Sequence, residues 1–348
     1  MAGRFILQVV GITPGRVLCR PSVKNRKENL ADVLLLKNST YILTHAPSYS
    51  CTGLANSGCD VYVAPCPPED NEYEEFVNEN GDIFTHTIFL ADYKETPDNE
   101  QIIGINPKVA IELMESVIEK NLISCLPNIK QFKRNVPMFL KDKVNSCFDV
   151  VGFCEDDVPF VMEISNVPFA EYRPEDQAAE KALYEAHLAK KAAAAATAPA
   201  AGTAPAGTAA PAAPAGTAAA APAAAPAPAA SDDATPTAEE EEEYIYCPYL
   251  KTAYFPEFGN KTITPTMIKR INELAMIAKE STVRCVLGYI VERTDINKFE
   301  ISKHHPEYYA AVLNAVNCGV HILPIVVSWT PEGVCFFVTD QLTVIRPN

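Results

Sequence analysis

Two acidic residues, Asp149 and Glu163, sit in apolar runs that read as the two strands of one β-hairpin, Cys147–Cys154 and Pro159–Val167, joined by the Glu155-Asp156-Asp157 turn. If both side chains point to one face, their oxygens suit a hard divalent cation such as Mg²⁺, as in metal-assisted phosphodiester cleavage. Such chemistry also wants a positive group where charge develops. Two positions after Glu163, on the same side of the strand, is where a lysine would serve. Ser165 stands there, and a hydroxyl can orient a water but carries no charge. Against this stands the plain alternation of a half-buried strand, which puts Glu163 and Ser165 on a wet face and Met162 and Ile164 inside. A lysine on another element could take over the role, and Lys251, Lys261 and Lys269 are candidates. No P-loop, GxGxxG, GxSxG or HExxH motif occurs. The adjacent His304-His305 reads as a surface or capping feature before Pro306, and Tyr244, Tyr246, Tyr249 and Tyr254 as docking of a returning chain.

The elements that must position this pair are legible around it. Asn106 caps a helix with Pro107 at its first position, and Val109, Ala110, Leu113, Met114, Val117 and Ile118 form its apolar stripe. Thr264 and Pro265 open a second helix whose inner face is Ile268, Ile271, Leu274, Ala275 and Ala278. Val283–Val291 is a continuous apolar strand of the kind buried on both faces of a parallel sheet. A helix over Pro306–Cys318, closed by Gly319, leads to a second such strand at Val320–Trp329, then a Thr330–Gly333 turn and Val334–Val338. Alternating strands and helices indicate an α/β layer.

Ahead of it, residues 1–90 read as short strands, Arg4–Val10, Arg16–Arg20, Ala31–Leu36, Thr40–Thr44, Asp60–Ala64 and Ile83–Leu90, broken at Pro14-Gly15, Lys37-Asn38 and Asn56–Gly58. That spacing favours a small barrel. The acidic run Glu69–Asn80 reads as a surface loop. The fold class is therefore mixed α/β, with domains at 1–95 and 96–348. The second is interrupted by a low-complexity, Ala/Pro-rich acidic insertion at 175–243, whose composition predicts disorder.

Of the net charge of −15, that middle segment holds most: residues 151–243 carry 4 Lys and Arg against 16 Asp and Glu, while 1–150 carry 15 against 19 and 244–348 carry 10 against 9. Composition alone gives no basic nucleic-acid surface. A local cluster, Lys130, Lys133, Arg134, Lys141 and Lys143, precedes the hairpin and reads equally as a phosphate-binding patch or a solvated charged segment. Eleven cysteines without a CxxC pair predict reduced thiols, and no stretch has the length of a membrane span. The expectation is a soluble intracellular protein, cytoplasmic or nuclear.

In order and spacing these motifs resemble the sugar fermentation stimulation protein A (SfsA) family. Leu30-Ala-Asp-Val33 is similar to its FxADV segment, and His45-Ala-Pro47 through Thr52-Gly53 and Gly58-Cys-Asp-Val61 to its CPNTGxMxG and PGDxV segments. Ile105-Asn-Pro107 stands at its V-N-T helix entrance, Phe148-Asp149-Val150 at I-D-F, and Val161–Val167 at Y-x-E-V-K-x-V-T. Tyr254–Glu257 is similar to F-P-D. Thr264, Lys269, Arg270, Glu273 and Leu274 follow T-x-R-G-x-K-H-L-x-E-L, and Arg284–Val291, His305–Tyr308 and Gly319–Ile322 fit the last strand–helix–strand unit.

The resemblance implies an N-terminal OB-like barrel, a C-terminal PD-(D/E)xK nuclease-like domain, DNA or RNA as partner, and Mg²⁺ held by Asp149 and Glu163. Lys269 and Arg270 then join the cluster above as candidate nucleic-acid contacts. The departures are Ser165 in place of the family lysine, no acid among Val136–Leu140, Thr266-Met267 in place of the R-G pair, and Ser48 near the missing asparagine. The sequence therefore points to an SfsA-like DNA-binding protein with a degenerate nuclease site. An active Mg²⁺-dependent nuclease with a migrated lysine, and a scaffold recruiting protein partners through the insertion, are the alternatives; a homodimer is left open.

Overall fold

The structure, a computed structural model, describes residues 3–24, 26–47, 53–66, 84–96, 99–140, 143–172, 251–257 and 263–347. The acidic loop at Glu69–Asn80, the insertion at 175–243, and Ser48, Lys141, Tyr244, Tyr246, Tyr249 and Lys261 lie outside them. Seventeen strands and three long helices make up the described chain.

The barrel is a six-stranded sheet in the order β4-β3-β2-β5-β6-β7. Its strands are β2 (Thr13–Cys19), β3 (Leu30–Leu35), β4 (Thr40–His45), β5 (Asp60–Pro65), β6 (His86–Thr96) and β7 (Asn99–Gly104). A short parallel pairing of Thr44 with His86 and His45 with Thr87 brings β4 onto β6, so that the sheet curls on itself. Val17, Val33, Val61, Val63, Ile88, Ala91, Ile103 and Ile105 fill its interior. Pro14-Gly15, which the sequence suggests is a turn, lies inside β2: Gly15 pairs with Leu35 and Val61 on its two sides. A side chain at Gly15 would come 2.7 Å from Val33 Cγ1, so close strand packing, not a turn, explains that glycine.

The boundary expected at residue 95 is not where the sheets part. The first strand, β1 (Arg4–Gln8), pairs antiparallel with β16 (Val334–Thr339) of the C-terminal sheet, and β7 carries the barrel sheet on to Gly104. β1 read in isolation looks like any other short barrel strand; only long-range pairing decides its sheet.

The main α/β sheet has seven strands in the order β1-β16-β15-β13-β10-β9-β8. Here β8 is Ile129–Leu140, β9 Val144–Cys154, β10 Pro159–Val167, β13 Arg284–Val291 and β15 His321–Trp329. The hairpin β9–β10 forms as its sequence suggests, and β10, β13 and β15 run parallel. Both faces are covered, which is why β13 and β15 read as near-continuous apolar runs. On one face lies α1 (Pro107–Glu119), capped by Asn106, whose Val109, Leu113, Met114 and Val117 pack on Val150, Met162, Val286 and Leu323. On the other lie α2 (Pro265–Glu280), capped by Thr264, and α3 (Pro306–Asn317), capped by the His305 ring, over Phe148, Val161, Leu287 and Tyr289. A smaller sheet of β11 (Ala170–Glu171), β12 (Lys251–Phe255), β14 (Ile296–Ile301) and β17 (Thr343–Ile345), in the order β11-β12-β14-β17, completes the domain. Among the described residues, no helix is long and apolar enough to cross a membrane.

Candidate functional site

Register brings the two acids together. Met162 of β10 pairs with Val150 of β9, so Glu163 and Asp149 follow side by side at the next step of the ladder. Their exposures are 5% and 9%, and both side chains meet one group from α2, the guanidinium of Arg270. Arg270 Nη1 donates to Glu163 Oε1 at 2.9 Å and lies 3.6 Å from Asp149 Oδ1. The carboxylates therefore share a face, and a side chain of this protein already sits between them.

The remaining oxygens have unlike fates. Asp149 Oδ2 accepts from the Ile164 backbone N–H at 2.8 Å. Glu163 Oε2 is buried with no hydrogen-bond partner. Burial, followed by the charge of Asp149, pushes the Glu163 carboxyl up to about 7 against the pull of Arg270. Asp149 is also raised by burial, with Ile164 N–H and Arg270 opposing.

A cavity of about 340 Å³ opens over this pair at the carboxyl end of β10, the position where open α/β sheets take ligands. Ile105, Pro107 and Ile111 bound it on the α1 side, and Thr264, Thr266, Met267 and Arg270 on the α2 side. Two capped helix starts thus face it, each bringing the positive end of a helix dipole.

Ser165 also lines the cavity and interacts with the fully buried Tyr308, whose hydroxyl lies 2.8 Å from that of Tyr289. Neither of the described lysines considered as substitutes reaches the pair. Lys269 lies 3.4 Å from Glu273 and donates to the Asn145 carbonyl, and Lys251 is buried 3.6 Å from Asp295 between the rings of Tyr93 and Tyr172. Among the described residues no group of three His, Cys, Asp or Glu is placed to hold a metal ion. As they stand, the residues at the pair do not fit a divalent cation.

The candidate phosphate-binding residues do not form one patch. Arg134 on β8 reaches across one face of the sheet to Glu115 of α1, and Lys143 across the other to Glu280 of α2 at 2.6 Å. Lys130 is paired with Asp157 at 2.8 Å. Arg270 belongs to the carboxylate pair, and Lys133 is exposed on β8.

The structure brings forward a different basic surface. Residues 1–38 hold seven Lys and Arg against two Asp and Glu, a bias hidden in the 1–150 count because the acids of Glu69–Asp82 cancel it. The β2–β3 connection presents Val23, Lys24, Arg26 and Lys27 to solvent. Asp32 holds its base, accepting from Ser22 Oγ and Val23 N–H, both at 2.8 Å. Beside it, His45 stacks on Phe84 and is pushed down to about 4 by burial and then by the charges of Lys108 and Arg20.

Comparison with known proteins agrees with this architecture. Residues 248–333 match the family model described as the sugar fermentation stimulation protein RE domain. A sugar fermentation stimulation protein homolog of Pseudomonas syringae pv. tomato is 37% identical over 97 residues, 28% of this chain and 38% of that protein's length. The structure of Pyrococcus furiosus SfsA in complex with Ca²⁺ superposes with a TM-score of 0.57 at 13% identity, over 98% of this chain and 99% of that one. At that identity the likeness is one of fold.

Proposed function

We propose that the chain is a member of the sugar fermentation stimulation protein (SfsA) family and a nucleic-acid-binding protein that does not cut. The observation that carries the second half is the residue at the position of the strand lysine: it is Ser165, with no ammonium beside the carboxylates among the described residues. The guanidinium of Arg270 is committed to Glu163 and Asp149, so charge developing on an attacked phosphodiester has no free cation to meet on the carboxylate side.

Nucleic acid is supported at the barrel. The β2–β3 connection, held at its base by Asp32, presents Lys24, Arg26 and Lys27 to solvent, and Arg20 and Lys108 act on His45 nearby. Neutralising phosphates releases condensed counterions, so binding of this kind weakens steeply with salt and is read by charge, not by base sequence.

The test is fluorescence anisotropy of labelled single- and double-stranded DNA and RNA with the full chain across a salt series, alongside gel analysis with Mg²⁺ or Mn²⁺. Salt-dependent binding without cleavage, weakened at least tenfold in a Lys24→Glu/Arg26→Glu variant, is the expected result. Cleavage abolished by Asp149→Ala/Glu163→Ala would overturn the non-cutting assignment. Absence of binding at low salt would remove nucleic acid as the partner.

A further inference from the structure

The disagreement between the carboxylate pair and a divalent cation has a definite structural cause. We propose that Arg270 is the resident cation of this site: its guanidinium replaces a metal ion between Asp149 and Glu163, and the pair takes up no divalent cation while Arg270 is in place. This rests on the geometry at the pair and not on nucleic-acid binding, so the two can fail separately.

Four observations lead there. First, Nη1 of Arg270 lies 2.9 Å from Glu163 and 3.6 Å from Asp149, the position from which one positive group serves both acids. Second, the oxygens a metal would need are spent or isolated. Asp149 Oδ2 is taken by Ile164 N–H and Glu163 Oε1 by Arg270, leaving Asp149 Oδ1 at the edge of the guanidinium and Glu163 Oε2 alone. A hard dication asks for about six oxygens or waters in its shell, and among the described residues no third acid or imidazole completes a group with the pair. Third, an incoming dication would have to share the space with a fixed positive charge. Fourth, Arg270 is held by the fold. Ile271, Leu274, Ala275 and Ile277 bury the adjoining face of α2, and the Thr264 cap fixes the start of the helix. Its side chain, 29% exposed, has the cavity on one side and the acids on the other.

The same geometry says what removal would do. Without the guanidinium, two buried carboxylates face one cavity with nothing between them, which is the arrangement that captures a metal ion. The latent site is created by a single substitution.

The experiment measures Mn²⁺ and Ca²⁺ binding to the full chain by isothermal titration calorimetry and by the shift of the thermal unfolding midpoint. The wild type is compared with Arg270→Ala, Arg270→Lys and Asp149→Asn/Glu163→Gln. Wild type and Arg270→Lys should respond no more than the double variant does, while Arg270→Ala should gain a saturable Mn²⁺ response at least tenfold tighter than wild type. Saturable binding to the wild type that is lost in Asp149→Asn/Glu163→Gln would overturn the proposal. So would a folded Arg270→Ala with no gain. Should Arg270→Ala fail to fold in metal-free buffer, it is refolded with and without Mn²⁺. Recovery of the unfolding transition with Mn²⁺ supports the proposal, and equal failure in both buffers overturns it.

Discussion

Two buried glutamates, one in the middle of β10 and one just past the end of the adjacent parallel β13, are handled in opposite ways. Glu163 on β10 meets a guanidinium and a cavity; Glu292, one residue past β13, meets neither. Glu292 is fully buried, accepts from Trp329 Nε1 at 2.6 Å, and leaves Oε1 without a partner. It is wedged against Gly104 at the seam where the barrel sheet meets the α/β layer, beside the Gln101–Thr294 hydrogen bonds. Burial alone pushes its carboxyl up to about 8, while Arg270 limits the rise of Glu163 to about 7. Depth of burial therefore does not separate a site from a strut. A neighbouring cation and an approach for a ligand do.

The largest test of that contrast is the dependence of stability on pH. An unfolded glutamate releases its proton near 4.5, whereas folded Glu163 and Glu292 hold theirs to about 7 and about 8. The folded state binds more protons in that window. Stability is full below about pH 4.5 and is lost as pH rises through 7 and then 8. Each proton difference has a slope of about 1.4 kcal/mol per pH unit, so the two acids together remove several kcal/mol between about pH 5 and 9. Denaturant unfolding of Glu163→Gln should flatten the lower part of the curve and Glu292→Gln the upper part. The upper part is the sharper one, because no cation faces Glu292 and the nearest titrating neighbour, Cys335, is itself held well above its usual range by burial. An unchanged slope above pH 7 in Glu292→Gln would remove the strut from the comparison.

Next in size is Gly104→Ala. The added methyl would press on the Glu292 carboxyl and lie 2.7 Å from Trp329 Nε1. Overpacking of this kind costs about 1–3 kcal/mol, and the upper end is expected because neither neighbour has room to move. A loss of stability below about 0.5 kcal/mol, measured by urea unfolding, would mean that the seam is looser than the packing implies.

A smaller effect separates Ser165 from the chemistry its position suggests. Ser165→Ala and Tyr308→Phe should each cost about 1 kcal/mol, and the double variant less than their sum, because the two side chains interact. Strict additivity in a double-mutant cycle would show that the two do not interact.

Much of this was legible before any coordinates. The β9–β10 hairpin, the three helix starts at Asn106, Thr264 and His305, and the buried parallel strands follow from local signals: a side chain that caps, a proline that tolerates the first turn, an apolar run too long to have a wet face. The shared face of Asp149 and Glu163 follows from hairpin register. Sequence could not place Arg270, because nothing local distinguishes it from Lys269 beside it, and the alternatives of phosphate contact and internal counterion differ only in what β9 and β10 bring opposite. It also missed most of β8, which is an edge strand with polar residues on both sides, and the membership of β1, which depends on a partner more than three hundred residues away. The basic β2–β3 connection was hidden for another reason: summing charge over 1–150 mixed a surface with an acidic loop elsewhere in the chain.

Lys269 supplies the smallest and most selective test, since it is one turn of sequence from being the lysine a nuclease would need. Its ammonium is 52% exposed and sits 3.4 Å from Glu273, one helical turn on. An exposed i,i+4 pair stabilises by only about 0.3–0.5 kcal/mol. Lys269→Ala should therefore change unfolding little and, because Arg270 and not Lys269 faces the carboxylates, should leave the pH profile of Glu163 where it is. If Lys269 instead swings to the pair when a phosphodiester arrives, Lys269→Ala would abolish a Mg²⁺-dependent cutting activity that the wild type shows. That single result would turn the pocket glutamate back into a catalytic group and dissolve its contrast with Glu292.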